Sequence, residues 1–151
     1  MRRDPEWIMA RLADPDTRFL LFQDLHPLLR QKNGGVRIEW LRREAVAGDG
    51  LHPAEIAQHA VLLGLDAAGG AHFALPAENT AAGLEFSASS GFQDTRASTP
   101  FLPAAEAAII AQARSLLSWH DSHPFCARCG GETASVEAGY SRLCSRSSCG
   151  A

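Results

Sequence analysis

No cysteine occurs in the first 125 residues, and all four fall within the last 26. A disulfide framework usually staples a whole small secreted domain, so cysteines gathered at one end point instead to a metal site. No apolar run approaches the roughly 20 residues needed to span a bilayer. Met1-Arg2-Arg3 runs straight into Asp4-Pro5-Glu6 without an apolar stretch, so no signal-peptide pattern is present and a cytoplasmic, reducing location is expected. No charge of one sign dominates: the net charge is -3 and charged residues make up 21%. That balance gives no electrostatic reason to expect nucleic acid or an anionic membrane as partner. There is no internal repeat. Gly34-Gly35 and Gly69-Gly70 read as hairpin turns, because neither opens a helix as a phosphate cradle must.

What is present suits one ordinary domain with a small appendage: 151 residues, 46% of them hydrophobic. Asp4-Pro5-Glu6 is a helix start, with proline in the first turn and acidic residues at the positive end of the dipole. Asp14-Pro15-Asp16 stops that helix. Residues 18–23 (RFLLFQ) form a short apolar run expected to be a buried strand, while residues 24–32 are ambiguous. After the Asn33-Gly34-Gly35 turn, residues 36–41 (VRIEWL) alternate as a half-buried strand does. Gly48-Asp49-Gly50 is a further break. Residues 60–65 and 71–75 make a hairpin about the 66–70 turn, residues 84–87 are a candidate edge strand, and residues 87–99 read mostly as loop. Residues 103–120 are the clearest helix, with Ile109, Ala113, Leu116 and Leu117 as its apolar stripe. The expected fold is therefore α+β: a mainly antiparallel sheet of about five strands with flanking helices over residues 1–120. A separate small module with its own core follows over residues 121–151.

That module contains Cys126-x2-Cys129-x14-Cys144-x4-Cys149. Two residues between cysteines let both thiolates reach one ion from a tight turn, and Gly130-Gly131 supplies the turn. The intervening stretch is long enough for a hairpin, with Glu137-Ala138-Gly139 near its bend. Four sulfur ligands suit a structural zinc, since they leave no open coordination position. Free thiols, a redox pair and an iron centre are the alternatives. A redox CxxC opens a helix after a strand, which Pro124-Phe125 before the pair and two glycines after it do not favour. Arg128, Arg142 and Arg146 either offset the charge of a four-thiolate zinc or are ordinary solvated arginines. Phe125 is expected to pack the module onto the preceding helix. His26, His52, His59, His72, His120 and His123 show no pairing with a Ser or Cys nucleophile. His120 and His123 read as helix-end residues before they read as substitute ligands. Trp7, Trp40 and Trp119 read as core or interface anchors, since no basic stripe accompanies them.

The run Ala113-Arg114-Ser115-Leu116-Leu117-Ser118-Trp119-His120, then Phe125-Cys126-Ala127-Arg128-Cys129-Gly130, then Gly139-Tyr140-Ser141-Arg142-Leu143-Cys144 resembles the middle of the NADH pyrophosphatase (NAD diphosphatase) family of Nudix hydrolases. The match covers residues 104–149 well; residues 1–103 resemble the family's variable N-terminal domain only in size, composition and strand-rich pattern. The resemblance implies a Nudix-like domain without catalytic residues, a zinc ribbon, and a catalytic Nudix domain joined in cis. It further implies a homodimer, NAD(H) as substrate cleaved to nicotinamide mononucleotide and AMP, and Mg or Mn in the catalytic domain. Some members also remove NAD caps from RNA.

These 151 residues lack the family's catalytic signature, Gly-x5-Glu-x7-Arg-Glu-x2-Glu-Glu-x-Gly, whose carboxylates hold the catalytic metals. Residues 42–48 (RREAVAG) echo it without its paired glutamates. No catalytic or cofactor-binding residue is therefore assigned. The chain is expected to be the inactive N-terminal and zinc-ribbon portion of a longer NAD(H)-cleaving hydrolase. The alternative is a free-standing zinc-ribbon module that binds protein or nucleic acid.

Overall fold

A computed structural model describes residues 1–48 and 50–151, so Asp49 in the Gly48–Gly50 break lies outside the described residues. The chain opens with helix α1 (Pro5–Ala13), capped by the Asp4 carboxylate, which accepts from the backbone N–H groups of Glu6 and Trp7. Strands β1 (Arg18–Gln23), β2 (His26–Lys32), β3 (Gly35–Ile38) and β4 (Leu41–Arg42) follow. Two short helices, α2 (Arg43–Ala47) and α3 (Pro53–Ala57), come next, then the hairpin of β5 (Val61–Leu65) and β6 (Ala71–Pro76). Beyond them lie β7 (Ser90–Phe92), α4 (Thr95–Ser98) and the long helix α5 (Ala104–Ser122). The last hairpin is β8 (Thr133–Val136) with β9 (Ser141–Cys144).

The main sheet runs β3-β2-β1-β6-β5, with β4 also paired to β1 and β7 to β2. Its pairings are antiparallel except that β1 and β6 run parallel, Phe19 opposite Phe73 and Leu21 opposite Leu75. The α+β expectation holds, with seven strands where about five were read. The ambiguous segment 24–32 holds a turn at Asp24-Leu25 followed by β2. Residues 84–87 form no strand; the edge pairing falls instead on β7, and α4 fills part of the expected 87–99 loop. Short polar strands such as Ser90–Phe92 carry no apolar alternation, so only the partner strand defines them. Helices α2 and α3 escaped the sequence reading because each is only five residues long.

The continuous apolar run of β1 is explained by burial on both faces. Phe19 and Leu21 point to one side, where they meet Ile8 and Leu12 of α1, Val46 of α2 and Ile56 of α3. Leu20 and Phe22 point to the other, against Ile110, Ala113 and Leu117 of α5. The α5 stripe is thus rotated slightly from the expected one: Ile110 replaces Ile109 at the centre, and Ile109 and Leu116 flank it. Both ends of the sheet are protected. At β3, the Ile38 N–H donates to the Glu106 carboxylate of α5 at 2.7 Å; at β5, the Leu62 carbonyl accepts the Tyr140 hydroxyl at 2.9 Å. Such covers stop an open strand from pairing with another chain.

The ribbon does not keep a wholly separate core, contrary to expectation. Ala138 and Tyr140 pack against the clusters on the two sides of the sheet. Phe125, expected to anchor the ribbon, is 61% exposed. The anchoring falls to Tyr140, because the hairpin bend and not the first knuckle is the part that reaches the sheet.

Phe19 is fully buried and stacks on Phe73 at 5.9 Å between ring centroids, whereas Phe101 is mostly exposed. Phe19→Ala should lose about 3–5 kcal/mol of unfolding free energy, and Phe101→Ala should stay within about 0.5 kcal/mol of the parent. Urea unfolding followed by tryptophan fluorescence measures both.

Candidate metal centre

Each pair of cysteines sits in a short backbone loop. In the first, the Cys126 N–H donates to the Gly131 carbonyl at 2.7 Å and the Gly130 N–H returns to the Cys126 carbonyl at 2.8 Å. Gly130 adopts a left-handed φ of 69°, which its lack of a Cβ permits. In the second, the Cys149 N–H donates to the Arg146 carbonyl at 2.9 Å. The strands β8 and β9 bring the loops together, with Thr133 opposite Cys144. An isolated antiparallel bridge also joins Phe125 to Glu132.

The four Sγ atoms all lie within 4.8 Å of one another. Cys126 and Cys149 sulfurs are 3.8 Å apart, and those of Cys129 and Cys144 are 3.5 Å apart. A tetrahedron of sulfurs about 2.3 Å from zinc has edges of about 3.8 Å, so the cage has the dimensions such an ion requires. A disulfide would need about 2.05 Å, and all four cysteines are free. The donor chemistry also fits. The Arg128 and Cys129 backbone N–H groups lower the Cys126 thiol to about 7. The adjacent Cys129 sulfur, followed by burial, pushes Cys149 up to about 12. At Cys144 the Arg146 N–H pulls downward, but burial and the neighbouring sulfurs outweigh it and the thiol is raised. Sulfurs this close resist shared ionisation, and a dication removes that conflict.

The three arginines divide. Arg128 donates to the Cys149 carbonyl at 3.2 Å and Arg146 to the Cys129 carbonyl at 3.1 Å, so each braces the opposite loop. Arg146 lies over Gly131, where a Cβ would come within 2.8 Å of its Nε. Arg142 faces elsewhere. Its guanidinium donates to the Thr133 hydroxyl at 2.7 Å, the Thr133 carbonyl at 2.9 Å and His120 Nδ1 at 2.7 Å.

His120 and His123 take no part in the sulfur cage. Arginine only donates, so His120 Nδ1 is an acceptor and the ring proton sits on Nε2. That proton is directed at the Gly139 carbonyl, 2.9 Å away. His123 bonds to the Trp119 carbonyl and Ser122. His52 caps α3, accepting from the Ala54 N–H; His72 meets the edge of Trp40; His26 lies 3.9 Å from Asp94; His59 lines a cleft of about 510 Å³ with Leu117, His120 and Arg142. Sequence reading gave no role to Tyr140, whose tie to Leu62 spans 78 positions; the only local signal was its place just after a glycine-containing bend.

Burial holds the His120 pKa below its usual 6.5; the Gly139 carbonyl opposes the shift and the Arg142 charge reinforces it. The folded form therefore binds the proton less well than the unfolded chain. Stability from this group is present above about pH 6.5 and drains away as pH falls through the lower folded value. Between pH 7.5 and 5.5 the parent should lose more thermal stability than His120→Gln, which cannot titrate. Melting curves at the two pH values check this; equal losses in both proteins would remove His120 from the account.

Comparison with known proteins agrees with this arrangement. Residues 16–119 match the family model of the NADH pyrophosphatase-like rudimentary NUDIX domain, and residues 121–151 match that of the NADH pyrophosphatase zinc ribbon domain. The chain is similar to the NAD-capped RNA hydrolase NUDT12 of Homo sapiens, at 31% identity over 98% of this chain and 38% of the relative. It is also similar to the mitochondrial NAD(P)H pyrophosphatase NUDT13 of Homo sapiens, at 30% identity over 89% of this chain and 42% of the relative. A shorter match to the chloroplastic Nudix hydrolase 19 of Arabidopsis thaliana is 46% identical over 44 residues, or 29% of this chain and 10% of the relative. The chain spans about two fifths of the length of the first two relatives. It belongs to the NADH pyrophosphatase family of Nudix proteins, of which it carries the rudimentary NUDIX domain and the zinc ribbon.

Proposed function

We propose that these residues form the non-catalytic part of a hydrolase that cleaves the pyrophosphate of NAD(H) to nicotinamide mononucleotide and AMP. In this reading residues 1–120 are the rudimentary domain and residues 121–151 the ribbon. Cys126, Cys129, Cys144 and Cys149 hold one structural zinc. The observation that carries the reading is the convergence of four sulfurs to zinc-sized spacing in a chain whose two segments match this family's two models. The catalytic work belongs to a Nudix domain joined in cis, where carboxylates would hold Mg or Mn. The rudimentary domain and ribbon position that domain in a homodimer. A reducing compartment, the cytoplasm, suits four thiolate ligands. No described helix is long and apolar enough to cross a membrane.

A second reading, a protein-binding ribbon, draws on one observation. Phe125 bridges Glu132 and Leu143 opposes Ala134, so alternation places Phe125 and Leu143 on one face of the ribbon. Both are more than half exposed. The two readings are compatible if the catalytic domain is what covers this face.

Purified under reducing conditions, the 151-residue chain should contain about one zinc per molecule by elemental analysis, and Cys126→Ser should lose most of it. Incubated with NADH and Mg or Mn, the chain should leave the pyrophosphate intact. Chromatographic detection of nicotinamide mononucleotide and AMP at enzymatic rates would place catalysis within these residues and overturn the assignment.

A further inference from the structure

The bend between β8 and β9 is built as a plug for the main sheet. Glu137, Ala138 and Gly139 take left-handed backbone angles in succession, with φ of 52°, 55° and 90°. Such a run is unfavourable for residues bearing a Cβ, so outside contacts must hold it. Six are present. Gly139 lies so close to β5 that a Cβ would meet Val61 Cγ2 at 2.7 Å and Val61 Cα at 2.9 Å. The Tyr140 hydroxyl donates to the Leu62 carbonyl on the open side of β5, and the Gln112 amide of α5 donates to that hydroxyl. His120 reaches the Gly139 carbonyl from the last turn of α5. The N-terminal segment closes the back: Arg3 pairs with Glu137 at 3.2 Å, and the Arg2 guanidinium lies 4.7 Å from the Tyr140 ring centre.

The sulfur cage lies at the opposite end of the same hairpin, where Thr133 pairs with Cys144; Val136 and Ser141 form the last pair before the bend. A two-stranded hairpin is marginal alone in water, and small zinc modules depend on the metal for their folding. The order of the bend therefore has two sources, zinc at one end and the β5 edge at the other.

We propose that the ribbon is a zinc-dependent latch on the rudimentary domain: metal binding and capping of the β5 edge by Gly139 and Tyr140 are thermodynamically coupled. Loss of zinc releases the bend and uncovers Val61–Leu65; weakening the bend's contacts in turn weakens zinc binding. Reciprocity is required of any such coupling. The inference rests on the four-cysteine zinc assignment and extends it to a regulated sheet edge.

Two measurements on the 151-residue chain test it. Hydrogen exchange is followed with and without a strong zinc chelator. Removal should speed exchange in residues 61–65 and 137–142 while Phe19–Leu29 stays protected. Zinc affinity is then measured by competition with a chelating dye for the parent, Tyr140→Phe and Gly139→Ala. Tyr140→Phe removes only the hydroxyl and should bind zinc several-fold more weakly; Gly139→Ala, which pushes the bend off Val61, should do so by about tenfold. Neither residue supplies a sulfur, so a merely local role would leave affinity unchanged. Bound zinc with parental affinity in both variants, or exchange that rises uniformly across the sheet on chelation, overturns the latch alone. A chain that binds no zinc overturns the ligand assignment and the latch together.

Discussion

The approach of Gly139 to Val61 is the constraint on which the relation between the two parts of this protein rests. There is no room at that point for a methyl group, so the ribbon bend can lie flat against β5 only because position 139 is glycine. Once it does, Tyr140 reaches the Leu62 carbonyl and its ring fills the space between β5 and α5. His120 can then satisfy the Gly139 carbonyl. Displacing the bend by even an ångström would leave a buried carbonyl, a hydroxyl and an imidazole short of partners, and each costs more unpaired than it contributes when paired.

Helix α5 links the two ends of the sheet. Its first turn supplies Glu106, whose carboxylate takes the Ile38 N–H at the β3 edge. Its middle supplies Gln112 and its last turn His120, which hold the ribbon bend at the β5 edge. Between them Ile110, Ala113 and Leu117 cover one face of the sheet. A single 19-residue helix therefore covers a face, closes one edge directly and closes the other through the ribbon. Helices α1, α2 and α3 cover the opposite face.

The sulfur cage, by contrast, is braced by contacts close at hand. Its two loops are closed by backbone hydrogen bonds within a few residues, and Arg128 and Arg146 each cross to a carbonyl of the other loop. The charge of these arginines sits beside a site whose thiolates repel one another. Arg142 is equally near in sequence, yet it is drawn away because β9 alternation turns it toward Thr133 and His120.

The sequence by itself determined what depends on local spacing: the cysteine pairs and their glycine turn, the apolar run of β1 and the long helix α5. Each is a short-range pattern with one physical solution, such as two thiolates on one turn or an apolar stripe at helical period. It also carried the family resemblance, since those motifs are contiguous. Tertiary structure alone decided which aromatic joins ribbon to domain, which strand forms at the 87–99 segment, and which arginine serves which neighbour. Sequence points to Phe125 as the anchor because it directly precedes the first knuckle; the role falls to Tyr140 because a partner 78 positions away lies within its reach. The parallel pairing of β1 with β6 is undetermined for the same reason, as pairing partners are set by packing between segments and not by the residues within either one.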